Sequence, residues 1–89
     1  MPASAESVVR LPAGVDLHAR PAARLVRTAM GFDATVQVVA DDRRADAKSL
    51  LGVLGLGARR GTALRLSAEG PDADLALAAL TACVAGLVE

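Results

Sequence analysis

The sequence predicts an α+β domain in which a small antiparallel sheet is covered on one face by helices, in the order β-α-β-β-α-β-α. Three observations lead there. Alternating apolar and polar segments interleave with segments of helical periodicity along the chain. Gly, Pro and Asp punctuate the joints between them. The hydrophobic positions are mostly 20 Ala, 13 Leu and 10 Val, ample for one core of small aliphatic pieces. At 89 residues the chain falls well below the size at which cores divide, so residues 1–89 read as a single domain, with residues 1–4 a loose N-terminal extension.

Residues 5–11 (Ala5-Glu6-Ser7-Val8-Val9-Arg10-Leu11) form the first predicted strand, ended by Pro12-Ala13-Gly14. A loop runs to Leu17. The first helix then starts near His18, with Pro21 in its first turn, where the missing N–H costs nothing, and Gly31 just past its end. Ala22, Leu25, Val26 and Ala29 share one face, and Arg20, Arg24 and Arg27 share another. Residues 34–40 alternate and are rich in β-branched side chains, which makes a strand. Asp41-Asp42 turns the chain without the usual Gly, and residues 43–47 return as a short polar edge strand. Ser49 opens a helix of one to two turns through Leu50, Leu51, Val53, Leu54 and Leu56, loosened by Gly52, Gly55 and Gly57. After the turn at Arg59-Arg60-Gly61, residues 62–69 alternate as a strand. Asp72 is placed to cap a last helix running to Val88, with Leu77, Leu80, Val84 and Leu87 as its apolar stripe, widened by Leu75, Ala78, Ala79 and Ala82.

Composition removes several function classes. Phe32 is the only aromatic residue besides His18, which argues against modules that stack nucleic-acid bases, and ten acidic residues balance ten basic ones, which argues against a phosphate-backbone binder. One Cys and one His cannot build a Cys/His zinc site within the chain, and nothing else calls for a metal or cofactor. Cys83 has no disulfide partner and reads as core, which suits a reducing compartment. No basic region precedes an apolar run at the N-terminus, and no stretch approaches the roughly 20 apolar residues of a membrane span. The expectation is a soluble cytoplasmic domain that does not insert in membranes.

His18 stands where a loop becomes a helix, two residues before Arg20. A helix start offers unpaired backbone N–H groups and the positive end of the dipole, an anion site ready made. Arg20 adds a fixed cation with the planar fork that suits phosphate. Both features disfavour a positive ring, and a neutral imidazole is a nucleophile. Such a histidine can take up a phosphoryl group whose charge the N–H groups and Arg20 then hold. A surface histidine at a helix start is the plain alternative.

The residues Leu17-His18-Ala19-Arg20-Pro21-Ala22 resemble the L-H-A-R-P-A signature of the HPr family, the histidine-containing phosphocarriers of the bacterial phosphoenolpyruvate:sugar phosphotransferase system (PTS). The block from Ala47-Lys48-Ser49 to Leu56-Gly57 is similar to that family's K-S-[IL]-x-x-V-x-x-L-G segment, and Gly61-Thr62 to Ser67-Ala68-Glu69-Gly70 resembles its G-x-x-[VIL]-x-[IL]-x-A-x-G strand. The three blocks stand in the family's order, and the resemblance runs from about Ser7 to the C-terminus. An unrelated α+β domain would have to match all three by accident. The resemblance implies an open-faced β-sandwich, a four-stranded antiparallel sheet covered on one side by three helices. It implies a carrier rather than an enzyme, with His18 taking a phosphoryl group on Nδ1 from phosphorylated enzyme I and passing it to enzyme IIA for sugar uptake. Arg20 would stabilise that group, and Pro21 would start the helix at the site.

Ser49 is suited to cap the second helix. The resemblance also makes it a candidate regulatory phosphorylation site, served by a serine kinase and phosphatase and read by a transcriptional regulator. Phosphate there adds about −1.5 to −2 charge and would disturb docking to an acidic partner. Leu50, Leu51 and Leu54, rimmed by Arg20, Arg24 and Arg27, would form the docking surface for enzyme I and enzyme IIA, an apolar centre with a basic edge suited to fast, weak exchange. A monomer is expected of such a shuttle. One departure stands out: Asp16 occupies a place where the family usually has Gly, and a carboxylate beside His18 would repel an incoming phosphoryl group unless it points away or caps the helix. Two other roles within the family are a purely regulatory binding protein, which could dispense with His18, and a carrier for a nitrogen-related or dihydroxyacetone-related relay.

Overall fold

In the computed structural model, which describes residues 3–88, strand β1 covers Ala3–Arg10, helix α1 Ala19–Met30, β2 Thr35–Ala40 and β3 Arg43–Asp46. Helix α2 covers Leu50–Gly55, β4 Ala63–Gly70 and α3 Ala73–Ala85. The element order and the four-stranded antiparallel sheet under three helices are those expected. The strands lie in the order β1-β4-β2-β3 with every pair antiparallel. The polar β3 is an edge strand, and exposed Arg43, Arg44 and Asp46 blunt it against pairing with another chain. Its two-residue link to β2 works without Gly because Asp41 takes φ 54, a left-handed conformation that Asp tolerates better than most.

Strand alternation decides which face is covered. Leu64, Leu66 and Ala68 of β4 stand opposite Ala40, Val38 and Val36 of β2, and all six are buried. Thr35, Gln37 and Arg65 face the other way and are exposed. Helix α3 lies over β1 and β4 and touches α1, while α1 packs on α2 and α2 leans on β3. The buried face of α1 is Pro21, Ala22, Leu25, Val26 and Ala29, with Arg20, Arg24 and Arg27 outside, as the spacing predicts. No helix among the described residues is long and apolar enough to cross a membrane.

Four expectations are corrected. The first strand begins at Ala3, so Ala3 and Ser4 pair with Gly70 and Glu69 rather than lying loose; Met1 and Pro2 fall outside the described residues. The last helix ends at Ala85 and buries Ala73, Ala76, Leu80 and Val84, while Leu75, Ala78 and Ala82 are exposed. In an alanine-rich helix, small residues let the backbone approach the sheet, so the closest face is not the bulkiest one. Leu56, read as part of the short helix, lies just past its end and is core.

The fourth correction concerns Asp72. It sits at the N-cap of α3 but makes no side-chain bond to that helix. Its carboxylate instead accepts the backbone N–H groups of Asp33 (2.9 Å) and Ala34 (2.8 Å), pinning the entry of β2 to the corner before α3. The N–H of Asp33 above all, and then that of Ala34, holds this carboxyl below the ordinary aspartate value of 3.8. A group with a depressed folded value stabilises the fold above the unfolded value and loses that contribution as pH falls through the folded one. Asp72→Ala should therefore lower the urea midpoint at pH 7, and the gap to the parent should shrink at pH 3. An equal gap at both pH values would refute this role.

Candidate functional site

The loop before α1 is held at both ends. Val15 and Leu17 are buried, and the Leu17 N–H donates to the carbonyl of Ala58, just beyond α2 (2.9 Å). This fastening delivers His18 to the N-cap of α1 with extended backbone (φ −80, ψ −172) and no side-chain capping bond. Its side chain is 72 % exposed and is thus free for a partner. It stands over a shallow groove of about 360 Å³ lined by Asp16, Leu17, Leu54, Gly57, Ala58 and Arg59.

The first turn of α1 has the features of an anion site. Its ladder begins with the Ala22 N–H donating to the His18 carbonyl (2.9 Å), and Pro21 carries no N–H. The amides of Ala19 and Arg20 are therefore the ones this turn leaves beside His18. No acidic residue occupies the turn, and the Arg20 side chain is exposed next to it. Backbone N–H groups and the helix dipole thus point to where a group on His18 would sit, with Arg20 in the same turn.

Arg20, Arg24 and Arg27 line a second, more open and mostly apolar cleft of about 510 Å³ with Ala19, Ala23 and Leu50. Leu51 is 84 % exposed and Leu50 41 %. Leu54 differs from them, being half-buried against the core under the His18 groove. Of the six expected docking residues, Arg20, Arg24, Arg27 and Leu50 line the open cleft and Leu54 lies in the adjoining His18 groove, while Leu51 lines neither. Ser49 caps α2, its Oγ accepting the Gly52 N–H at 3.0 Å. Ser49→Ala should cost about 1 kcal/mol of stability, the usual worth of such a cap, measurable in urea; no loss would mean that α2 is held by packing alone. Cys83 is half-buried against the core.

Asp16 neither points away nor caps α1. Its Oδ2 lies 3.6 Å from His18 Nε2. Its Oδ1 accepts the Arg60 N–H at 2.7 Å and lies 3.6 Å from Arg60 Nε. The Arg60 N–H above all holds this carboxyl below its ordinary range, with the Arg60 side chain adding to the effect. Arg59 and Arg60, read from the sequence only as a turn, thus belong to the surroundings of the site. The Asp16–Arg60 contact spans 44 positions, so no local pattern announces it.

A family model described as "PTS HPr component phosphorylation site" matches residues 3–86. The chain is 43% identical over 77 residues to the phosphocarrier protein HPr of Vibrio cholerae, covering 86% of this chain and 91% of that one. It is 49% identical over 82 residues to a multiphosphoryl transfer protein of Xanthomonas campestris; 92% of this chain is matched, but the chain spans only 10% of that relative's length. The crystal structure of a phosphocarrier protein HPr from Bacillus anthracis superposes with a TM-score of 0.86 at 35% identity, covering 92% of this chain and 98% of that one.

Proposed function

The chain belongs to the HPr family of PTS phosphocarriers, and from that premise we propose that His18 is its phosphoryl acceptor, loaded by phosphorylated enzyme I and unloaded to enzyme IIA. The observation that carries this reading is the exposed imidazole of His18 at the start of α1, beside the amides of Ala19 and Arg20, with the exposed Arg20 side chain in the same turn. The neutral ring attacks phosphorus through Nδ1. The bond from phosphorus to the donor breaks as the bond to Nδ1 forms, and the donor keeps the electron pair. The phosphoryl oxygens gain the helix N–H groups and Arg20 as partners. These interactions are moderate and open to water, which suits a group that must leave again.

The groove under His18 and the cleft of Arg20, Arg24, Arg27 and Leu50 supply an apolar surface with a basic rim for both partners. Leu51 extends it. Phosphorylation of Ser49 by a serine kinase would set a dianion beside Leu50 and Leu51, and would repel a partner that presents carboxylates to the arginines. In this reading the chain is a cytoplasmic shuttle that leaves turnover of sugars to its partners.

The test is incubation with phosphoenolpyruvate and a heterologous enzyme I, followed by intact mass and then addition of an enzyme IIA. One added phosphate, labile in acid and lost to enzyme IIA, is the expected result. A folded chain that gains no phosphate from several enzymes I would overturn the reading.

A further inference from the structure

The carboxylate of Asp16 is held in place rather than left to swing. Its Oδ1 is fastened by the Arg60 N–H (2.7 Å), which leaves Oδ2 directed at the ring of His18. We propose that Asp16 is a positioning residue for His18, holding the ring with its Nε2–H toward the carboxylate so that Nδ1 carries the lone pair that takes the phosphoryl group. The proposal rests on the reading of His18 as acceptor.

The chemistry follows from the two ring nitrogens. A neutral imidazole has one donor and one acceptor nitrogen, and its neighbours decide which is which. An ionised carboxylate can only accept, so the nitrogen nearest to it is favoured as N–H. Here that nitrogen is Nε2, at 3.6 Å. The separation exceeds a hydrogen bond, but the ring is exposed and a small rotation closes it, as such contacts tighten when a partner binds. When phosphorus bonds to Nδ1, Nε2 keeps its proton and the ring acquires positive charge. Asp16 then faces a cation where it faced a neutral ring, so it favours the loaded state and the path to it.

The same geometry answers the objection that a carboxylate here repels phosphate. The charge lies on the Nε2 side of the ring, with Nδ1 on the other, and Arg60 compensates part of it. Arg59 lines the same groove as the ring, and Arg20 stands two residues on in α1 along the adjoining cleft; both are cations that the phosphoryl oxygens can use.

The experiment follows the imidazole ¹⁵N shifts of the neutral ring, and the rate of phosphate acceptance from phosphorylated enzyme I, in the parent, Asp16→Asn and Asp16→Ala. Asp16→Asn retains an oxygen for the Arg60 N–H and so preserves the loop. The parent should hold its proton on Nε2. Both variants should shift the balance toward Nδ1–H and accept phosphate about tenfold more slowly, the lower end of what losing the orienting partner of a metal-bound imidazole costs. Unchanged tautomers in the variants would overturn the proposal, whether or not the rate falls. A parent that accepts no phosphate would instead sink the acceptor reading, and the tautomer comparison would still judge Asp16.

Discussion

His18→Ala should accept no phosphate from phosphoenolpyruvate and enzyme I, where the parent should accept one per chain, and should unfold at the same urea concentration. The two halves of this result have separate causes. The side chain is 72 % exposed and makes no capping bond, so its removal leaves no cavity and strands no buried donor. Stability should shift by less than about 0.5 kcal/mol. The chemistry, in contrast, has no substitute nearby. Asp16 accepts the Arg60 N–H, a phosphate on Ser49 would be an ester that survives acid, and the guanidinium of Arg20 is not a nucleophile at neutral pH. Intact mass before and after acid treatment reads the first half, and urea unfolding followed by circular dichroism reads the second. An acid-labile phosphate on His18→Ala would place the acceptor elsewhere. A large loss of stability would mean that the ring supports the loop and that lost uptake could not be assigned to chemistry.

The parts of this molecule that a reader of the sequence could see are those set by near neighbours in the chain. The first helix shows itself through Pro21 in its first turn, Gly31 at its end and the Ala22-Leu25-Val26-Ala29 face, all within one stretch. The strands β2 and β4 alternate because one face meets the core and the other meets water. The motif around His18 is equally local. What stayed hidden depends on contacts between distant segments. Asp72 has the residue type and place of an N-cap, yet Asp33 and Ala34, 39 and 38 positions away, claim its carboxylate. Asp16 looked like a liability for His18, and the partner that compensates it arrives from a turn 44 positions later. Helix α3 misled for another reason. With apolar residues all round, its periodicity does not single out the packed side, and the sheet selects the alanine edge at Ala73 and Ala76.

Gly70→Ala should reverse the pattern of His18→Ala, costing much of the stability while sparing the chemistry. Gly70 ends β4 at φ 141, a backbone conformation that side-chain-bearing residues rarely adopt. A Cβ built there would stand 2.9 Å from the Ala34 Cα, and that atom is backbone, held by the Asp72 carboxylate on the neighbouring N–H. Neither strain nor clash can relax without opening the corner that joins β2, β4 and α3. Strain and overpacking of this kind each cost about 1–3 kcal/mol, so a combined loss of about 3 kcal/mol is expected. In a domain of this size that corresponds to a fall of roughly 15 °C in Tm. The corner lies at the far end of β4 from His18. The near end is fixed by Ala63 opposite Arg10 and by Leu11 donating to Thr62, and it leads into the Arg59-Arg60 turn that holds Asp16. Strand β4 runs eight residues between the two ends, about 25 Å of extended chain. Well below its lowered Tm, Gly70→Ala should therefore accept phosphate at the parental rate. A Tm within a few degrees of the parent would show that the corner yields at little cost. Slow phosphate acceptance by a fully folded variant would show that the sheet transmits its distortion along β4 to the loop that presents His18.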